Sequence, residues 1–171
     1  MNIFCDGSGN NGLGISGYCV NLKRPDRNMI EHKVFDRPFT NNEMEWHAMV
    51  RAIALASPGD IIHSDSQLVV NQVLRKWKIN EPRLFEFAKR AWALLDNTSG
   101  IVIRWVPREQ NDAGIYLEKV SKQAIEAARS PLPPELLPAA GDAQCETPVP
   151  QACSLKELAA RFRSIGDEHH Q

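Results

Sequence analysis

Two short apolar runs in this chain each stop on an acid, and that repeated arrangement limits what the chain can fold into. The first is Asn2-Ile3-Phe4-Cys5-Asp6-Gly7-Ser8-Gly9, with Asn10-Asn11-Gly12 behind it; the second is Asp60-Ile61-Ile62-His63-Ser64-Asp65-Ser66. Runs of this length bounded by glycine, asparagine and serine read as strands that pass into tight turns. A lone acid after a strand also fits an Asx-turn at a hairpin. Asp65, however, is followed by Leu68, Val69, Val70, Val73 and Leu74, which are apolar at helical spacing. A strand leading into a helix puts its acid at the carboxyl end of the strand, where open α/β sheets keep their sites.

The segments between these runs supply the other elements. Residues 15–22 and 29–35 read as two further strands joined by Arg24-Pro25-Asp26-Arg27-Asn28, so the chain opens with a three-stranded antiparallel meander. Thr40-Asn41-Asn42 offers N-cap chemistry for a helix over residues 41–57, whose stripe is Met44, Ala48, Ala52 and Leu55 and which ends at Pro58-Gly59. Glu45 sits at the edge of that stripe; an acid in a first turn also fits simple pairing with the helix dipole. Residues 81–95 predict a helix with Pro82 in its first turn and Phe85, Ala88, Trp92 and Leu95 on its apolar face. A fifth strand over 101–106 ends at Pro107, and a last helix over 111–128 carries Ala113, Leu117, Val120 and Ala124. His63 is expected to face a sheet surface as a structural residue.

Charge and cysteines narrow the partners. Residues 1–129 carry 17 Lys and Arg against 15 Asp and Glu, and residues 130–171 carry 3 against 6. The total is too balanced to argue for nucleic acid, so any such case rests on a local cluster: Arg75, Lys76, Lys78 and Arg83 around Trp77. That cluster fits either a solvated helix end or a phosphate-binding patch. The four cysteines, Cys5, Cys19, Cys145 and Cys153, form no Cys-x-x-Cys pair and fit free thiols in a reducing compartment. With no charged-then-apolar leader and no run of bilayer length, the expectation is a cytoplasmic protein that does not engage membranes.

Beyond Arg129 the composition changes. Three units are expected: a globular domain over 1–129, a Pro-rich linker over 130–153, and a short amphipathic helix and tail over 154–171. Ser154-Leu155-Lys156-Glu157 has capping-box spacing, and Leu155, Leu158 and Phe162 form one apolar stripe that would dock on the domain or engage a protein partner. A chain cut after Arg129 should keep its fold and activity, with an unchanged melting temperature. A large drop would mean that the tail packs on the domain.

The order strand, strand, strand, helix, strand, helix, helix, strand, helix, with acids at Asp6, Glu45 and Asp65, resembles the type 1 ribonuclease H family. The resemblance covers residues 1 to about 128. It rests on Asp6-Gly7-Ser8, Thr40-Asn41-Asn42-Glu43-Met44-Glu45, Ser64-Asp65-Ser66-Gln67, Trp77-Lys78 and Trp105-Val106-Pro107-Arg108-Glu109-Gln110-Asn111. It implies an α/β, ribonuclease H-like fold with a five-stranded mixed sheet, three strands antiparallel then two parallel, flanked by helices and lacking the basic handle helix of some members. It also implies a monomeric endonuclease that hydrolyses the RNA strand of an RNA–DNA hybrid. Two Mg²⁺ ions about 4 Å apart, replaceable by Mn²⁺, would be held by the catalytic acids Asp6, Glu45 and Asp65, Asp6 bridging both ions. Gly9, Asn11, Gly12, Asn42 and Gln67 would contact the hybrid, with 2′-hydroxyls read in its shallow groove, and Trp77 and Lys78 would hold the DNA strand.

One position departs from the family. Reading on from Val106-Pro107-Arg108-Glu109 without a gap puts Ile115 where the family has its fourth carboxylate. Asp112 and Glu118, three residues to either side, could lend an oxygen or could be solvated charges. Loss of that ligand also leaves open a catalytically weak or inactive nucleic-acid-binding or adaptor module.

Overall fold

In the computed structural model the described residues are 1–9, 16–35 and 37–129. Asn11, Gly12 and the tail residues Leu155, Leu158 and Phe162 lie outside them. The strands are β1 (Asn2–Ser8), β2 (Ser16–Lys23), β3 (Asn28–Phe35), β4 (Ile61–Ser64) and β5 (Val102–Trp105), and the helices are α1 (Asn41–Leu55), α2 (Gln67–Val73), α3 (Pro82–Asn97) and α4 (Asp112–Arg129). They make one five-stranded mixed sheet in the order β3-β2-β1-β4-β5. β1 pairs antiparallel with β2, with Asp6 opposite Cys19, and parallel with β4, with Phe4 opposite His63. The sheet is the ribonuclease H-like arrangement of three antiparallel strands followed by two parallel ones.

Alternation along β1 decides what lies on each face. Ile3 and Cys5 point into the larger core with Trp46, Met49 and Ala52 of α1, and Phe4 points the other way, towards Cys19 and the Ala113 and Leu117 stripe of α4. Burying side chains of this size contributes about 1.5–3 kcal/mol each, so β1 is pinned from both sides. His63 stacks on Phe4 at 4.7 Å and meets Asn2 Oδ1 at 3.1 Å, a place on the sheet surface apart from the acids.

Local chemistry sets where α1 starts. Thr40 caps it through a reciprocal pair: the Glu43 amide donates to Thr40 Oγ1 at 3.2 Å and the Thr40 amide donates to Glu43 Oε2 at 2.8 Å. The buried Trp46 indole donates to Gln72 Oε1, and Gln72 Nε2 donates to the Lys78 carbonyl, so α1, α2 and the segment after α2 are tied by one polar chain. α2 stops after Val73, and Arg75 takes a left-handed φ of 60°, which turns the chain so that Trp77 is exposed.

The face of α3 differs from expectation. Leu84, Ala88 and Ala91 are the buried residues, while Phe85 is exposed and lies edge-on to Trp92 at 5.9 Å. Ala88 is buried and Trp92 and Leu95 pack against the core as expected, so the departure is confined to the first turn, where Leu84 rather than Phe85 turns inward.

Candidate active site

Three acids from three elements converge at one end of the sheet. Asp6 comes from β1, Glu45 from the second turn of α1 and Asp65 from the step between β4 and α2; one carboxylate oxygen of each lies within 4.8 Å of the others. Asp6 is fully buried. Its position follows from the strand ending between two helices, and Glu45 reaches it because Gly7 has no side chain: a Cβ there would stand 2.1 Å from the Met44 carbonyl carbon and 2.3 Å from the Glu45 nitrogen. Gly9 is equally confined, since a Cβ there would stand 2.3 Å from the Thr40 carbonyl carbon, and its amide donates to Asn41 Oδ1 at 2.8 Å.

Two residues hold the cluster that were read only as part of a motif. Arg108 Nη1 donates to Asp6 Oδ1 and to Asp65 Oδ2, both at 2.9 Å. Asn111, itself buried, donates from Nδ2 to Asp65 Oδ1 at 2.6 Å and to the Cys5 carbonyl at 3.0 Å, fastening the carboxylate of one strand end to the backbone of the other. Trp105 adds a third support, its indole donating to the Asp65 carbonyl at 3.0 Å. The signal available in the sequence was the density of polar groups after Pro107, where a strand has just returned to the sheet edge carrying the acids.

Burial dominates the electrostatics. It pushes the Asp6 carboxyl from 3.8 up to about 7, with the Asp65 charge adding to the rise and Arg108 opposing it. Glu45 is pushed from 4.5 to about 9, again first by burial and then by Asp6 and Asp65. Asp6 Oδ2 and Glu45 Oε2 are buried with no donor facing them. Anionic oxygens in that state are expensive unless a proton or a cation is shared between them. The donor set of clustered carboxylate oxygens therefore fits Mg²⁺ or Mn²⁺, hard cations that take such ligands and keep water on their remaining positions.

A pH dependence follows. Between the unfolded and folded values of these two acids the folded chain keeps protons that the unfolded chain has released. The stability that these two acids contribute to the metal-free protein is present in full below about pH 4 and is lost as pH rises through about 7 and about 9. The expected result is a melting temperature that declines from pH 5 to pH 9 and flattens with saturating Mg²⁺. A level metal-free profile would show that the acids are not desolvated.

The other candidate ligands are not brought into the group. Asp112 pairs with Lys23, and Glu118 is exposed and pairs with Lys122 at 2.6 Å. Ile115 is 50 % exposed on α4. The preceding residue is the one that faces the acids: Gly114 is buried, and a Cβ on it would lie 3.3 Å from Asp6 Oδ2.

Besides Gly9, the described residues among the expected substrate contacts fall in three places. Gln67 is exposed at the start of α2, two residues after Asp65. Asn42 borders a cavity of about 430 Å³ with Thr40, Glu43 and Arg83. Trp77 and Lys78 line another of about 560 Å³ with Arg75, Phe85 and Trp92, and the Arg75 guanidinium lies 4.8 Å over the Trp92 ring. Of the basic cluster, Arg75 and Lys78 thus border an aromatic cavity, whereas Arg83 turns to the other cavity and pairs with Glu43 at 3.8 Å.

Known proteins share this arrangement. Rv2228c, a bifunctional protein of Mycobacterium tuberculosis, is 29% identical over 132 residues, covering 74% of this chain and 35% of that protein. The chain spans about a third of the length of the curated relatives it matches. The N-terminal RNase H domain of Rv2228c, solved as a fusion with maltose-binding protein, superposes with a TM-score of 0.61 at 26% identity over 74% of this chain and 93% of that one. RNase H1 from the halophilic archaeon Halobacterium salinarum gives 0.60 at 25% identity over 67% and 91%. The RNase H family model matches residues 1–122, the whole of the sheet and the start of α4 with all three clustered acids, and the chain belongs to that family.

Proposed function

We propose that this chain hydrolyses the RNA strand of an RNA–DNA hybrid at the Asp6, Glu45 and Asp65 cluster, with Mg²⁺ as cofactor and Mn²⁺ as a substitute. The observation that carries the reading is the buried Asp6 carboxylate, short of a partner on Oδ2 and within reach of two further acids. Bound divalent cations supply Lewis-acid stabilisation of the phosphodiester oxygens and orient the attacking water. Asp6, Glu45 and Asp65 would hold the cation; the two-ion scheme that the resemblance implies would make Asp6 the shared ligand, with Glu45 and Asp65 on the leaving-group side. Arg108 and Asn111 keep the Asp6 and Asp65 carboxylates in place and Trp105 holds the Asp65 backbone, by the hydrogen bonds described above, which spares the site reorganisation when substrate arrives. Trp77 and Lys78 offer a ring and a charge to the DNA strand, contacts that carry no base sequence.

A second reading is favoured by Ile115, which has no oxygen to give: a hybrid-binding module that no longer cuts. Incubating the full chain with a labelled RNA–DNA hybrid in Mg²⁺ and separately in Mn²⁺ decides between them. Metal-dependent release of RNA fragments is the expected result. A shifted but uncut hybrid would favour the binding module, and neither binding nor cutting would reject both.

A further inference from the structure

The geometry points to Arg108 as a cation built into the site: its guanidinium fills the place on the α4 side of the acids that a second divalent ion would otherwise take, so the site holds one ion rather than two. This rests on the metal-dependent reading above. Arg108 Nη1 bridges Asp6 and Asp65 with two contacts of 2.9 Å, the position of a shared cation between two carboxylates. Gly114 makes the room. A Cβ at that position would stand 3.1 Å from Arg108 Nη1 and 3.2 Å from Cζ, so the bare helix turn is what lets the guanidinium lie against α4. The next residue, Ile115, offers no oxygen for an ion on that side.

Counting oxygens gives the same result. Arg108 occupies Asp6 Oδ1 and Asp65 Oδ2, and Asn111 occupies Asp65 Oδ1. Asp6 Oδ2 and Glu45 Oε2 are left buried without a donor, a pair suited to one ion. Charge agrees as well. Three ionised carboxylates and one guanidinium sum to two negative charges, which one divalent ion neutralises. A second ion would leave a largely buried cluster with two surplus positive charges, at a cost that low local dielectric enlarges. Arginine is suited to the role because it stays charged at any working pH and keeps further N–H donors in a fixed fork for a phosphate oxygen.

The test counts Mn²⁺ per chain by equilibrium dialysis and electron paramagnetic resonance. It uses the full chain bound to a hybrid whose RNA strand carries 2′-fluoro sugars so that it stays intact. One ion is expected in the parent and two in the double variant Arg108→Met/Ile115→Asp. In the free chain Arg108→Met should tighten the first Mn²⁺ about tenfold or more, since a positive charge beside it is gone. Arg108→Gln serves the same purpose if the Met variant does not fold. Two ions in the parent would overturn the inference while leaving the proposed function standing, as would unchanged Mn²⁺ affinity in a folded Arg108 variant. No bound Mn²⁺ in parent and double variant alike would overturn the metal-dependent reading, and this inference with it.

Discussion

Asp6→Asn is expected to reduce hybrid cleavage roughly a thousandfold or more, equivalent to about 4 kcal/mol of transition-state stabilisation, while the metal-free protein becomes more stable. Two effects of one substitution part here. Asp6 contributes charge to any cation in the cluster, and removing it takes a ligand that no neighbouring residue replaces. In the absence of metal the same charge is a liability, because burial and the Asp65 carboxylate hold its pKa up at about 7. A neutral amide escapes that penalty, so the melting temperature of the metal-free variant should exceed that of the parent above pH 7. The gap should narrow as pH falls towards 4, where the folded parent is already protonated. Activity lost together with stability would mean that the substitution had merely unfolded the chain. Activity kept at the parent rate would remove Asp6 from the chemistry.

Much of the fold was legible because each element has its own local signal. The apolar runs that carry Asp6 and Asp65, the Thr40 cap and the Pro82 start are short-range features that neighbours in sequence determine, although β1 runs on past Asp6 to Ser8. The choice between Leu84 and Phe85 at the start of α3 was not legible. Phe85 and Leu84 are both apolar, and which of them turns inward depends on how closely α3 approaches α1, a tertiary property set by Ala88 and Ala91.

The site was legible to the same depth. Aspartate and glutamate at the ends of elements advertise themselves, and the three acids that the chain order singled out stand within 4.8 Å of one another. Arg108 did not advertise itself, because an arginine after Val106-Pro107 fits any exposed turn. Its meaning appears only when β5 is placed beside β4 and the short turn at Arg108–Gln110 folds back over Asp65. Helical spacing from Ala113, Leu117 and Val120 sets Ile115 off that apolar stripe, and its exposure agrees. Spacing could not show that the adjacent Gly114 is the residue facing Asp6, since a wheel describes one helix and the acids lie outside it.

Gly7→Ala should be among the most damaging small substitutions in the described residues. A methyl group at position 7 would fall 2.1 Å from the Met44 carbonyl carbon, 2.3 Å from the Met44 oxygen and 2.3 Å from the Glu45 nitrogen. All three are backbone atoms, so no side-chain rotation relieves the clash and α1 must move away from β1 as a body. Overpacking that cannot relax costs about 3 kcal/mol or more, which for a domain of this size lowers the melting temperature by roughly 6–12 °C. The displacement also draws Glu45 away from Asp6. Hybrid cleavage should therefore fall further than the unfolded fraction explains, and Mn²⁺ affinity should fall with it. Gly59→Ala is the matched control. Gly59 has a φ of 88° with nothing near its missing Cβ, so alanine there meets backbone strain alone, about 1–2 kcal/mol, far from the acids. It should lower the melting temperature modestly and leave metal affinity unchanged. If Gly7→Ala instead behaved like Gly59→Ala, or like the parent, then β1 and α1 would not be in the contact that brings Asp6 and Glu45 together.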